Sequence, residues 1–129
     1  MQSFTSAACL FGIGLLTSMS VTATVTENDS VRSEASERGR ALFLDNCAEC
    51  HQRNGRGLKG IYPSLVSSEI VRGSGTDVAL QLIIGRGEMP SFSGAMSPQD
   101  MADVINYVRN AWGNKGDAID AISIERLLD

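Results

Sequence analysis

Asn46-Cys47-Ala48-Glu49-Cys50-His51 sets two thiols three residues apart and an imidazole directly after the second. On one helical turn, residues three apart face the same side. Two such thiols reach two vinyl groups of one porphyrin, and the following imidazole lies under the ring to meet its iron, so the pattern reads as covalent haem attachment. Other chemistries are poorer fits. A closed zinc site needs four ligands, yet His51 is the only histidine and Cys9 the only further cysteine. A thioredoxin-like pair needs a strand–helix setting after βαβ patterning, which is not visible. The plainest alternative is a disulfide, or two free thiols beside an incidental histidine.

A second candidate lies in Gly85-Arg86-Gly87-Glu88-Met89-Pro90-Ser91-Phe92. A methionine between Gly and Pro in a loop is not placed as a core gap-filler. As the sixth iron ligand, across from His51, its thioether would raise the reduction potential and favour electron transfer. Met96 and Met101 compete, but Met101 falls on the apolar face of the next helix, and Met89 is preferred on context. A ligating histidine normally donates its other ring N–H to a nearby oxygen. Tyr62-Pro63-Ser64-Leu65 offers a turn whose Pro63 carbonyl can take that role, although proline by itself says only turn.

Helices must position these groups. Ser33 is a candidate N-cap for a helix through about Leu44, with Ala35, Gly39, Leu42 and Phe43 on one face. Gly39 costs helix stability, which close approach by another element would explain. After His51, 52–60 is a glycine-rich loop with Arg53, Arg56 and Lys59, which could pair with haem propionates or form a rim for an acidic partner; for any one of them ordinary solvated charge is the simpler reading. Thr76 is a candidate cap for a helix ending at Gly85. Ser97-Pro98-Gln99-Asp100 opens a helix carrying Met101, Val104, Ile105, Val108 and Trp112 on one face, stopped by Gly113. The apolar residues of 114–129 form either a short amphipathic helix packed on the domain or a docking segment for another protein.

The chain has 129 residues and a net charge of −4, which suits one domain and argues against a nucleic-acid partner. Met1 to Thr26 carry no charged side chain. The apolar run 7–16 has the length of a signal-peptide core, and Val21-Thr22-Ala23 offers a cleavage site, although Lys and Arg are missing ahead of the run. The expected layout is therefore a signal peptide at 1–23, a flexible polar linker at 24–33, the folded domain at 34–114 and a C-terminal extension at 115–129. This predicts a periplasmic protein with no membrane span in its mature chain. An uncleaved anchor is the alternative, disfavoured by the Ser/Thr content of the stretch.

Cys47-Ala48-Glu49-Cys50-His51, Tyr62-Pro63-Ser64-Leu65, Met89-Pro90-Ser91-Phe92 and Tyr107-Val108-Arg109-Asn110-Ala111-Trp112-Gly113, in this order, resemble the class I cytochromes c over about 36–114. The resemblance implies an all-α fold: a small cytochrome c fold packed around one covalent haem c, its N- and C-terminal helices crossing at Gly39, Phe43 and Tyr107. It further implies that the carbonyl at Pro63 accepts the hydrogen bond of His51 and that Met89 ligates iron. The Tyr-Pro-Ser-Leu and Tyr-Val-Arg-Asn-Ala-Trp-Gly-Asn stretches are similar to haem domains that accept electrons from quinoprotein alcohol or sugar-acid dehydrogenases.

The expected function is a periplasmic, non-enzymatic electron carrier of a respiratory chain. Its haem, bonded through Cys47 and Cys50 and ligated by His51 and Met89, would pass single electrons from a dehydrogenase to a cytochrome or oxidase. Outer-sphere transfer needs no acid, base or nucleophile, and none is evident. One alternative is a permanent one-haem subunit of a dehydrogenase complex. Another is a haem protein whose open sixth site binds a small ligand or peroxide, against which counts the absence of a second histidine.

Overall fold

The computed structural model describes residues 23–129; the expected signal peptide therefore lies outside the described residues except at Ala23. Among the described residues are six helices: α1 Ala23–Asn46, α2 Ala48–His51, α3 Glu69–Arg72, α4 Gly75–Ile84, α5 Pro98–Val108 and α6 Ala121–Leu128. Strand-like pairing among them is confined to isolated bridges at Leu58–Tyr62, Arg86–Met89 and Ser93–Met96. This is the all-α arrangement expected.

The core forms where α5 crosses α1. Ser97 accepts the Asp100 N–H at 3.1 Å and Pro98 occupies the first helical position, so α5 starts where its sequence directs. Met101, Val104, Ile105 and Val108 turn one buried face inward. On α1, a Cβ at Gly39 would overlap the Asp103 carbonyl oxygen and lie 2.9 Å from Tyr107 Cβ, so only glycine lets the two backbones approach this closely. One turn on, the fully buried Phe43 ring packs at centroid distances of 5.7 Å from Tyr107 and 5.1 Å from Trp112. The crossing is latched at its rim by Arg38, which pairs with the buried carboxylate of Asp103.

Helix boundaries differ from expectation in three places, each for a local reason. Ser33 lies inside α1 rather than capping it, and α1 runs through 24–33. No glycine or proline interrupts residues 24–38, so the backbone ladder has no built-in stop, although no residue is buried between 29 and 38. α4 is capped by Ser74, not Thr76: Ser74 and Asp77 exchange side-chain-to-backbone bonds in a capping box, whereas the residue three beyond Thr76 is Ala79, which cannot reciprocate. α5 ends at Val108 instead of continuing to Trp112. There Asn114 Nδ2 donates to the Val108 carbonyl at 3.1 Å and to the Leu65 carbonyl at 3.0 Å, so a turn satisfies the helix end that another turn of helix would otherwise satisfy.

The residues beyond Gly113 pack back on the domain. Ile119 and Ile124 are buried in the core, and Asn106 exchanges two 2.9 Å bonds with the backbone of Ile119. Arg109 is only 4% exposed and gives all three of its donor nitrogens to carbonyls, those of Val71, Gly73 and Asp117. It therefore fastens the segment after α5 to the α3–α4 connection.

Candidate functional site

Beside the α1–α5 crossing lies a cavity of about 510 Å³. Its walls are apolar: Phe43, Leu65, Val71, Val78, Leu82, Val104, Ile105 and Val108. Cys47, Cys50, His51, Pro63 and Met89 line the same space, although 42 positions separate Cys47 from Met89 in the chain. The two thiols, the imidazole, the Pro63 turn and the loop methionine thus converge on one cavity. The rival methionines do not: Met101 is fully buried in the core, Met96 is half-buried against it, and neither lines the cavity.

The chain holds His51 through its own backbone and through the following loop. The single turn α2 continues the hydrogen bonding of α1, with His51 N–H donating to the Cys47 carbonyl at 2.9 Å. The imidazole is 9% exposed, and its Nδ1 lies 3.0 Å from the Pro63 carbonyl oxygen. With Nδ1–H as the donor, Nε2 is left as the basic nitrogen. The loop 52–65 closes tightly to make this contact. Gly57 N–H donates to the His51 carbonyl at 2.8 Å and Leu65 N–H to the Gly55 carbonyl at 2.7 Å. Gly55 and Gly57 both have positive φ, and each is pressed against a neighbour that a side chain would strike, Trp112 for Gly55 and the Tyr62 and Pro63 carbonyls for Gly57.

Burial pushes the Cys47 thiol up to about 11, with a smaller contribution from Cys50. Tyr62 lies above the ordinary phenol value, first because of the charge on Cys50 and then because of a hydrogen bond to it. Both cysteines are free of any disulfide.

Met89 is positioned by a second tight loop. Arg86 and Met89 exchange two 3.0 Å backbone bonds, Phe92 N–H donates to the Leu82 carbonyl at 2.8 Å, and Ser91 Oγ donates to the Ile83 carbonyl. The loop is thereby folded back onto the end of α4. Gln81, on α4, lines the cavity and directs its amide at the thioether, with Nε2 3.8 Å from Met89 Sδ. Sequence reading missed Gln81, which sits in a mostly apolar helix; its only signal is being the one polar residue in Val78–Ile84. Arg53, Arg56 and Lys59 are exposed and none lines the cavity; Arg86, in the methionine loop, does.

An apolar pocket walled by helices, with two thiols and an imidazole at its edge, defines a domain that bonds a haem covalently. The chain belongs to the cytochrome c family: the model for "Cytochrome c" matches residues 36–112. Among its relatives is the alcohol dehydrogenase (quinone) cytochrome c subunit of Gluconobacter oxydans, 30% identical over 103 residues, covering 69% of this chain and 21% of the relative. The gluconate 2-dehydrogenase cytochrome c subunit of Pantoea cypripedii is 27% identical over 107 residues, covering 69% of this chain and 24% of that protein. Cytochrome c6 of a Synechocystis strain is 43% identical over 75 residues, covering 54% of this chain and 60% of that one. The chain thus spans only about a quarter or less of the dehydrogenase subunits it matches.

The cavity suits the family's haem c. Its walls are apolar, the thiols of the Cys47–Cys50 pair open into it, and the histidine beside them has one ring nitrogen already engaged by backbone. Among the described residues no helix is long and apolar enough to cross a membrane.

Proposed function

We propose that this chain is a periplasmic electron carrier with one haem c, which Cys47 and Cys50 would bond and whose iron His51 and Met89 would hold. The observation carrying this reading is the convergence of His51, its ring already bonded to Pro63, and of Met89, beside the Gln81 amide, on one apolar cavity. When bound, the haem iron supplies a one-electron ferrous–ferric couple whose potential is set by axial ligands, hydrogen bonding and burial. The residues around it do the rest. The Pro63 carbonyl fixes the tautomer and orientation of His51 and strengthens it as a ligand. The loop bonds of Arg86, Ser91 and Phe92 hold Met89 in place, so that little would have to move when an electron passes. The apolar walls exclude water and favour the less charged ferrous state.

The names of the dehydrogenase relatives support a dehydrogenase as electron donor, and a respiratory cytochrome or oxidase is the matching acceptor. Because two of those relatives are subunits that this chain covers only in small part, permanent attachment to a dehydrogenase is the second reading. Co-purification of a dehydrogenase with the full chain would support attachment; its recovery as a free protein supports the mobile carrier.

An electrochemical titration of the exported protein, followed by absorbance, tests the carrier role. The reading requires a reversible one-electron wave with low-spin spectra at both ends. A high-spin ferric form that takes up added small ligands without resistance would instead assign an open sixth site.

A further inference from the structure

The buried polar side chains among the described residues are His51, Asp103, Arg109 and Asn114. Of the two that carry a full charge, Asp103 is paired with Arg38. Arg109 has no such partner. It is 4% exposed, and the only ion pair among the described residues is Arg38–Asp103. Its donors go to neutral carbonyls instead, those of Val71 at 3.1 Å, Gly73 at 2.6 Å and Asp117. Asp117 and Asp120 border the same hollow, but Asp117 meets Arg109 through its backbone and the Asp120 carboxylate is taken by the Ser123 N–H at 2.7 Å. Two glycines clear the slot: a Cβ on Gly75 or Gly116 would lie 2.9 or 2.8 Å from the guanidinium.

The position of this charge gives it a second consequence. Val71, whose carbonyl accepts from Arg109 Nε, lines the cofactor cavity, and so does Val108, the residue directly before Arg109. The guanidinium therefore lies behind a single layer of apolar wall. Charges separated by such a wall act on each other more strongly than across water, and salt screens a buried charge far less than an exposed one. Ferric iron carries one positive charge more than ferrous iron, so a fixed cation behind the wall disfavours the ferric state. The three carbonyls temper that field but, as dipoles, do not cancel a full charge.

We infer that Arg109 raises the reduction potential of the haem through the field of its buried, unpaired charge, in addition to fastening the segment beyond Gly113. The inference rests on the electron-carrier reading above. A guanidinium suits the task because it keeps its charge at any pH the protein meets.

The test is the reduction potential of the whole haem-loaded protein, measured once the spectrum of each variant has shown its haem intact. Arg109→Leu should lower the potential, and the shift should persist between about 0.1 and 1 M salt, over which the Debye length falls from about 10 to about 3 Å. Lys115→Gln, which removes an exposed cation, should give a smaller shift that disappears at high salt. Arg109→Lys separates charge from fastening, because it loosens the segment yet can keep the charge. A buried lysine sheds its proton within the accessible range, so between about pH 5 and 10 its potential should step from near the wild-type value down to that of Arg109→Leu. Neither the wild type nor Arg109→Leu should show that step. Should Arg109→Leu yield no haem-loaded protein, the step in Arg109→Lys decides. A wild-type potential in Arg109→Leu, or an equal lowering in both variants with no step in Arg109→Lys, would make Arg109 a fastener only and leave the carrier reading standing. A wild-type protein with no reversible one-electron wave would overturn the carrier reading itself.

Discussion

A Cβ placed on Gly57 would lie 2.5 Å from the Pro63 carbonyl oxygen, the atom that faces His51 Nδ1 at 3.0 Å. The geometry of the histidine therefore depends on a glycine six residues beyond it. Gly57 has φ +62°, so alanine there meets both backbone strain and a collision. Gly57→Ala should destabilise the haem-loaded protein by roughly 1–3 kcal/mol and disturb the His51 signals in paramagnetic NMR. Gly60→Ala provides the comparison: its φ is +82°, yet a Cβ there meets nothing within 4 Å. It should cost only about 1 kcal/mol and leave His51 untouched. Equal urea midpoints for the two variants would contradict the role given to Gly57.

Gln81 directs its amide at the Met89 sulfur. A donor there withdraws electron density from the thioether and weakens its support of ferric iron, so its removal should lower the reduction potential. Gln81→Leu is expected to shift the potential down by tens of millivolts, on the order of one weak hydrogen bond. An unchanged or raised potential would remove Gln81 from the account.

Arg109 spans three carbonyls from within the protein. Lysine cannot replace it, because one ammonium does not reproduce a planar fork of donors. Both Arg109→Lys and Arg109→Leu should therefore lower stability, by roughly 2–4 kcal/mol, and both should expose the segment beyond Gly113 to protease before the rest of the chain. Cleavage in that segment at the wild-type rate would show that Arg109 does not hold it.

Asp120 caps α6, accepting the Ser123 N–H at 2.7 Å, and that bond holds its carboxyl below the ordinary aspartate value. A depressed folded value means the cap's contribution is complete above the unfolded value, about 3.9, and disappears as pH falls through the folded one. Amide protection in 121–128, taken relative to the intrinsic exchange rate at each pH, should fall on acidification below about pH 4. Asp120→Asn retains the cap without the titration, so it should flatten that dependence. An unaltered pH profile in the variant would assign the change to other groups.

What the structure brings together was legible where the signal is local. The spacing of Cys47, Cys50 and His51 and the loop context of Met89 single out residues that line one cavity. Gly39 was readable too, because a helix-destabilising residue beside Phe43 on an apolar face asks for a close neighbour, and the backbone of Asp103 is that neighbour. What could not be read depends on contacts between distant segments. Gly57 and Pro63 matter to each other only once the loop has closed, and Gln81 meets Met89 only after the chain folds back on α4. Arg109 runs against the ordinary expectation that arginine stays at the surface. The Ser74 cap was lost to Thr76 because the two residue types are equivalent until the reciprocating acid, Asp77, is counted.

Whether His51 and Met89 share one iron is tested most directly by the absorption spectrum of the oxidised protein, extended to the weak sulfur-to-iron charge-transfer band. The band should be present in the wild type and lost in Met89→Ala, with covalent haem retained in both. A wild-type spectrum without the band, or a band that survives in Met89→Ala, would contradict that ligation.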